Sequence, residues 1–178
     1  MTKLSINQYI IISTIFILIA GIILHFTYNL SNNNYLIGIF SSINESSWEH
    51  LKLLYFPMLI TSIIGYNYYK NTIPNYLCTK TKGILLSLFF MIIFYYTYTG
   101  ILGHDITILN ISSFFIATII EEYYTYKNIN NNKNCNFILT LIILLTLLTL
   151  FIIFTFYPPH INLFKDPLTN TYGIYQDK

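Results

Sequence analysis

The chain has 178 residues, 54% hydrophobic and only 9% charged, with a formal net charge of +2 and a mean hydropathy of +0.56. Soluble domains carry about 25% charged residues, so a solvated globular surface is excluded in favour of a lipid-facing one, and the small basic excess excludes a nucleic-acid partner. All nine basic residues are lysine, and Cys78 and Cys135 match no metal or redox spacing.

In chain order, the first apolar run covers residues 8–28, enough to cross a hydrocarbon core that takes about 20 apolar residues. Lys3 precedes it, as in a signal peptide. The run is longer than a signal's apolar region and no A-x-A site follows, so it reads as a retained helix. Residues 35–43 are apolar but too short to cross, which predicts an interfacial or re-entrant segment. The second span is predicted over 44–69, starting near Ser42 or Asn44 and kinked at Pro57. Further spans are predicted over 83–102, 106–126 and 137–157, the last stopped by Pro158 and Pro159. Residues 158–178 read as an extracytoplasmic tail. The fold class is therefore all-α: a single integral membrane domain over residues 1–178, a bundle of about five spanning helices plus one short segment.

Lysine placement sets the orientation. Lys3, the loop with Lys70, Lys80 and Lys82, and the loop with Lys127 and Lys133 share one side. That side is expected to be cytoplasmic, with the N-terminus inside and the C-terminus outside. All four histidines then fall near the outer face: His25, His50, His104 and His160. Glu45, Glu49, Asp105 and Asp166 accompany them.

The densest polar chemistry is Asn44-Glu45-Ser46-Ser47-Trp48-Glu49-His50. Much of it has a structural account. Ser42-x-x-Glu45 and Ser46-x-x-Glu49 both fit a helix capping box, Glu49 and Lys52 are spaced to pair, and Trp48 suits an interface anchor. Glu121 and Glu122, beside three tyrosines, read as interfacial. His50 is not needed by any cap. Together His25, His50 and His104 would supply three imidazoles, a common zinc complement. Glu49 or Asp105 would then orient a ligand or accept a proton from water.

Two stretches, residues 42–57 (SINESSWEHLKLLYFP) and 156–174 (FYPPHINLFKDPLTNTYGI), carry a resemblance. Their Asn-Glu-Ser-x-Trp-Glu-His core and Pro-Pro-His…Asp-Pro…Tyr-Gly-Ile tail resemble an uncharacterised family of small multi-spanning membrane proteins from Firmicutes and related anaerobes. The resemblance implies a bacterial cytoplasmic membrane location and no known activity. It marks Asn44, Glu45, Ser46, Trp48, His160 and Asp166 as motif residues. Thr169-Asn170-Thr171 stands where the usual tail reads Thr-Gly before Tyr-Gly. A more distant resemblance is to the membrane hydrolases that include alkaline ceramidases, which carry Ser-x-x-x-His on one helix, as Ser46 and His50 do here. Their late His-x-x-x-His and seven spans have no counterpart in this chain.

Two functional classes fit these readings. One is an outward-facing, metal-assisted hydrolase or lipid-modifying enzyme with membrane lipids as partners. The other is a non-enzymatic small carrier or scaffold subunit whose polar cluster caps and ties the helix ends. A polar path from the cluster to Glu121 and Glu122 would mark a carrier.

Overall fold

The computed structural model describes residues 4–131 and 135–174. Lys3, Lys133 and Lys178, which enter the orientation reading, lie outside the described residues. Within them the chain forms six α-helices: α1 (Ile6–Leu30), α2 (Tyr35–Gly38), α3 (Ser47–Tyr69), α4 (Tyr76–Leu102), α5 (Thr107–Asn128) and α6 (Phe137–Phe156). One 3-10 turn (Asn162–Phe164) and an isolated bridge between Lys165 and Tyr172 follow.

α3 is the centre, with 14 of its 23 residues buried. It packs against α1, α4 and α6, while α5 packs against α4 and α1. Neighbours in sequence run antiparallel. The start of α1 is tied to the end of α3 by Leu4 N–H donating to Tyr68 Oη (3.0 Å) and Tyr69 Oη–H donating to Leu4 O (2.9 Å). Tyr55 Oη–H donates to Leu144 O (2.6 Å), pinning α6 to the middle of α3.

Three helices, α1, α4 and α6, are long and apolar enough to cross a membrane, fewer than the five the sequence predicts. α3 and α5 are less apolar, and each carries two buried charged residues, Glu49 and Lys52 on α3 and Glu121 and Glu122 on α5, against the single Lys80 on α4. A helix wrapped by other helices can carry polar groups that a lipid-facing helix cannot.

Helix starts follow local chemistry. α3 begins at Ser47, later than the start near Ser42 or Asn44 that the sequence suggests. Ser46 is the cap, its Oγ accepting from Glu49 N at 3.4 Å. Ser42 is instead turned to α1, its Oγ lying 3.3 Å from His25 O. Only half a capping box forms, because the Glu49 carboxylate is engaged elsewhere. α4 starts at Tyr76, not near residue 83, because Thr79, Lys80 and Thr81 are buried within the bundle and not solvated in a loop. Pro57 lacks the N–H that would bond Leu53 O. There α1 comes close: a Cβ on Gly21 would fall 2.8 Å from Leu53 O, so only glycine permits the approach.

Trp48 is a core residue and not an interface anchor. It is buried against Phe151 (ring centroids 4.6 Å), Phe154 (5.5 Å) and Phe164 (4.9 Å). Phe164 therefore carries the tail back onto the bundle. Cys78 and Cys135, remote in sequence, are joined as a disulfide with Cα atoms 6.0 Å apart, tying the start of α4 to the chain entering α6.

Candidate functional site

The loop between α2 and α3 is fixed before any functional group is placed on it. Ser41 Oγ accepts from Tyr28 N (3.0 Å) and contacts Leu24 O, holding the loop to the end of α1. Ser46 N–H donates to Asn44 Oδ1 (3.0 Å), and Asn44 Nδ2–H donates to Gly173 O (3.1 Å), so this motif residue latches the tail. The result sets Glu45 between a histidine late in α1 and one in the first turn of α3.

Glu45 Oε2 lies 3.3 Å from His50 Nε2, and Glu45 Oε1 lies 3.9 Å from His25 Nε2. The two imidazole centroids are 5.4 Å apart. One donor atom from each of His25, Glu45 and His50 falls within 4.8 Å of the others. The His50 Nδ1 lies 3.0 Å from Ser46 O. A carbonyl only accepts, so Nδ1 carries the proton and Nε2 is left to face Glu45. Ser42 Oγ stands 3.4 Å from His25 Nδ1 and plays the corresponding role. The bond from His50 holds the Glu45 carboxyl below the usual carboxylate range, against the opposing effect of its partial burial.

The donor set suits zinc. Two imidazoles and one carboxylate are a familiar catalytic complement that leaves a fourth position open. With bonds of about 2.0–2.1 Å, tetrahedral ligands sit roughly 3.3 Å apart. The His50–Glu45 pair has that spacing at 3.3 Å, and His25 lies somewhat farther out, 3.9 Å from Glu45.

The three residues line a cavity of about 680 Å³, a size typical of small-molecule sites. Its body is apolar, with Gly21, Leu51, Leu53, Met91, Ile92 and Phe114 among the lining residues. Ile22 and Phe26 of α1 and Ile111 and Phe115 of α5 also line it, and all four are exposed on the outside of the bundle. The cavity therefore opens along the seam between α1 and α5. Asp105, Asn110 and Tyr95 add polar groups, and Pro167 and Leu168 of the tail border it.

The remaining residues singled out in the sequence are placed elsewhere. His104 is exposed, and its Nδ1 donates to Leu102 O (3.1 Å); it does not join the His25–Glu45–His50 group. It lies in the turn that ends α4, just after Gly103 in the left-handed conformation. Glu49 points away from the cavity. It is 2% exposed, 2.5 Å from Lys52 Nζ, and accepts from Ile43 N (3.0 Å). Asp105 is the acid that lines the cavity, with Asn110 Nδ2–H donating to its Oδ2 at 3.4 Å. His160 stacks on Tyr172 (4.5 Å) outside the cavity. Asp166 organises the tail turn, accepting from Leu168 N (2.8 Å) and Thr169 Oγ1 (2.9 Å).

Sequence reasoning gave Glu45 a capping role and missed its place between two imidazoles. The available signal was its distance from the helix start: a residue before the cap projects from a loop. It also missed a buried group formed by Lys80, Glu121 and Glu122, having placed Lys80 in a loop and the acids at an interface.

Residues 1–174 match the family of unknown function DUF6512, and the chain belongs to that family. No curated protein and no solved structure matches it.

Proposed function

We propose that this DUF6512 member is a membrane-embedded, metal-assisted hydrolase acting on an ester or amide bond carried by a lipid. The observation that carries this reading is the cluster of His25, Glu45 and His50 donors within 4.8 Å of one another at an apolar cavity. His25 Nε2, one Glu45 oxygen and His50 Nε2 would hold the metal. A bound zinc would polarise the scissile carbonyl and lower the pKa of water. Ser46 O and Ser42 Oγ keep the two imidazoles aimed, as outer partners of metal ligands commonly do. The apolar walls take the lipid tail and exclude water from it. Asp105, on the same cavity, accepts a proton, and Asn110 holds its carboxylate in place. The seam between α1 and α5 lets an amphiphile enter sideways from the bilayer.

The carrier reading has less support. Along α5 the cavity lining ends at Phe115, and neither Glu121 nor Glu122 lines it.

The direct test is zinc-loaded, purified protein in mixed micelles with a bacterial lipid extract, followed by mass spectrometry of released fatty acids. Asp105→Asn is expected to slow release about 100-fold, the low end for a general base, with zinc content unchanged. Absence of any zinc-dependent product from ester and amide lipids would overturn the reading.

The five-span topology belongs to the same proposal, with the chain in a bacterial cytoplasmic membrane, its N-terminus inside and C-terminus outside. Burial of Lys80 removes one loop charge from the count. Exposed Lys70, Lys82 and Lys127 still share one end of the bundle, against Lys165 at the other. After reduction with a permeant thiol, an impermeant maleimide added to intact cells should label neither Cys78 nor Cys135. Labelling from outside would reverse the orientation and place the disulfide in the oxidising compartment where such bonds persist.

A further inference from the structure

The second polar centre lies at the opposite end of α5 from Asp105 and is fully enclosed. Lys80 Nζ sits 2.7 Å from Glu121 Oε1 and 3.0 Å from Glu122 Oε1. All three residues are at most 3% exposed. Ser13 Oγ on α1 bonds Glu122 Oε1, so three helices meet here.

One ammonium faces two carboxyl groups. With both ionised, the group would carry one uncompensated negative charge in a buried, low-dielectric setting, which is costly. Among the described residues no other cation pairs with either acid. The remaining titratable groups that bear on the site are the phenols of Tyr9 on α1 and Tyr76 on α4, neutral near pH 7.

The hydrogen bonding shows the same deficit. Glu121 Oε2 and Glu122 Oε2 are buried and have no donor. Both Oε1 atoms contact the same Lys80 Nζ, which brings the two carboxyl groups together around one ammonium. Two carboxyl groups can bond only if one carries a hydrogen, because an ionised carboxylate accepts and never donates. A single proton would therefore remove the excess charge and supply the missing donor.

We propose that Lys80, Glu121 and Glu122 form a proton-binding site that holds one proton between the two carboxyl groups. The protonated site is neutral overall, which lets α1, α4 and α5 close around it. This centre is independent of the metal reading at His25, Glu45 and His50.

Infrared spectroscopy of the full-length protein in lipid nanodiscs tests it through the carbonyl stretch of protonated carboxyl groups near neutral pH. Glu121→Gln leaves one acid for one lysine and should lose one carboxylic-acid equivalent; Glu122→Gln should do the same. Lys80→Met should gain one equivalent, since both acids then need protons. Should Lys80→Met fail to fold, the two near-isosteric glutamine variants decide alone. A carboxylic-acid band of equal intensity in wild type and both glutamine variants would overturn the proposal. So would a band absent from the wild type in sodium-free buffer.

Discussion

Lys52→Met is expected to destabilise the protein by about 3–5 kcal/mol, the usual cost of removing one partner from a buried ion pair. Lys52 is completely buried, and its Nζ makes a 2.5 Å contact with Glu49. The same ammonium donates to Gly38 O at 2.8 Å and to Thr155 Oγ1 at 3.0 Å. It thereby joins α3 to α2 and α6 across the head of the bundle. Removing it strands the Glu49 carboxylate, which keeps only its bond from Ile43 N. Glu49→Gln should also destabilise, by leaving a buried ammonium without its counter-charge. The Glu49→Gln/Lys52→Met double variant should lose less than the sum of the singles, because neither charge remains to be solvated. Denaturant titration in mild detergent measures all four proteins. Strictly additive losses would show that the two groups do not act as a pair.

That pair also shows what was legible in the sequence. Spacing of three residues suggested that Glu49 and Lys52 meet, and they do. Spacing could not tell a headgroup-level pair from one sealed in the core. The apolar runs placed α1 and α6 to within a few residues, because long, uniformly apolar helices declare themselves by composition alone. A short segment was expected over residues 35–43, and α2 occupies the first four of them. The start of α4 was not legible. Thr79, Lys80 and Thr81 read as a loop because their polarity is visible while their partners on α5 are not. The same limit applied to Glu121 and Glu122. Trp48 was misplaced because an indole suits an interface and a core equally well, and only Phe151, Phe154 and Phe164 around it decide. At the candidate site, His25 and His50 were grouped from topology. His104 was grouped with them on the same grounds, yet it is exposed in the turn after α4 and bonds Leu102 O. Outer-face residence restricts where a side chain lies along the membrane normal and says nothing about which helix it faces.

Zinc added to the purified protein should raise its melting temperature, and His50→Ala should erase that rise. A ligand that binds only the folded state at 100 times its dissociation constant stabilises by about 2.7 kcal/mol. Glu45→Ala and His25→Ala should also abolish the shift, since each removes one of only three protein donors. The His25→Ala/His50→Ala double variant should be no worse in zinc binding than either single, as ligands of one ion act as a unit. His104→Ala is the discriminating control. It should retain the zinc response, because His104 donates to Leu102 O and lies outside the donor group. Acidification should weaken the response, since a proton on either imidazole competes with the metal. Glu45 should not cause that loss. Its carboxyl is held below the ordinary range by His50, so it stays ionised until the pH falls further. Its contribution to stability is present above its unfolded value and disappears only as pH drops through the lowered folded value. In the zinc-free protein, acidification that protonates His50 instead gives it an ion pair with Glu45, whose Oε2 lies 3.3 Å from Nε2. A zinc response that survives His50→Ala but disappears in His104→Ala would restore the three-imidazole arrangement and remove Glu45 from the site.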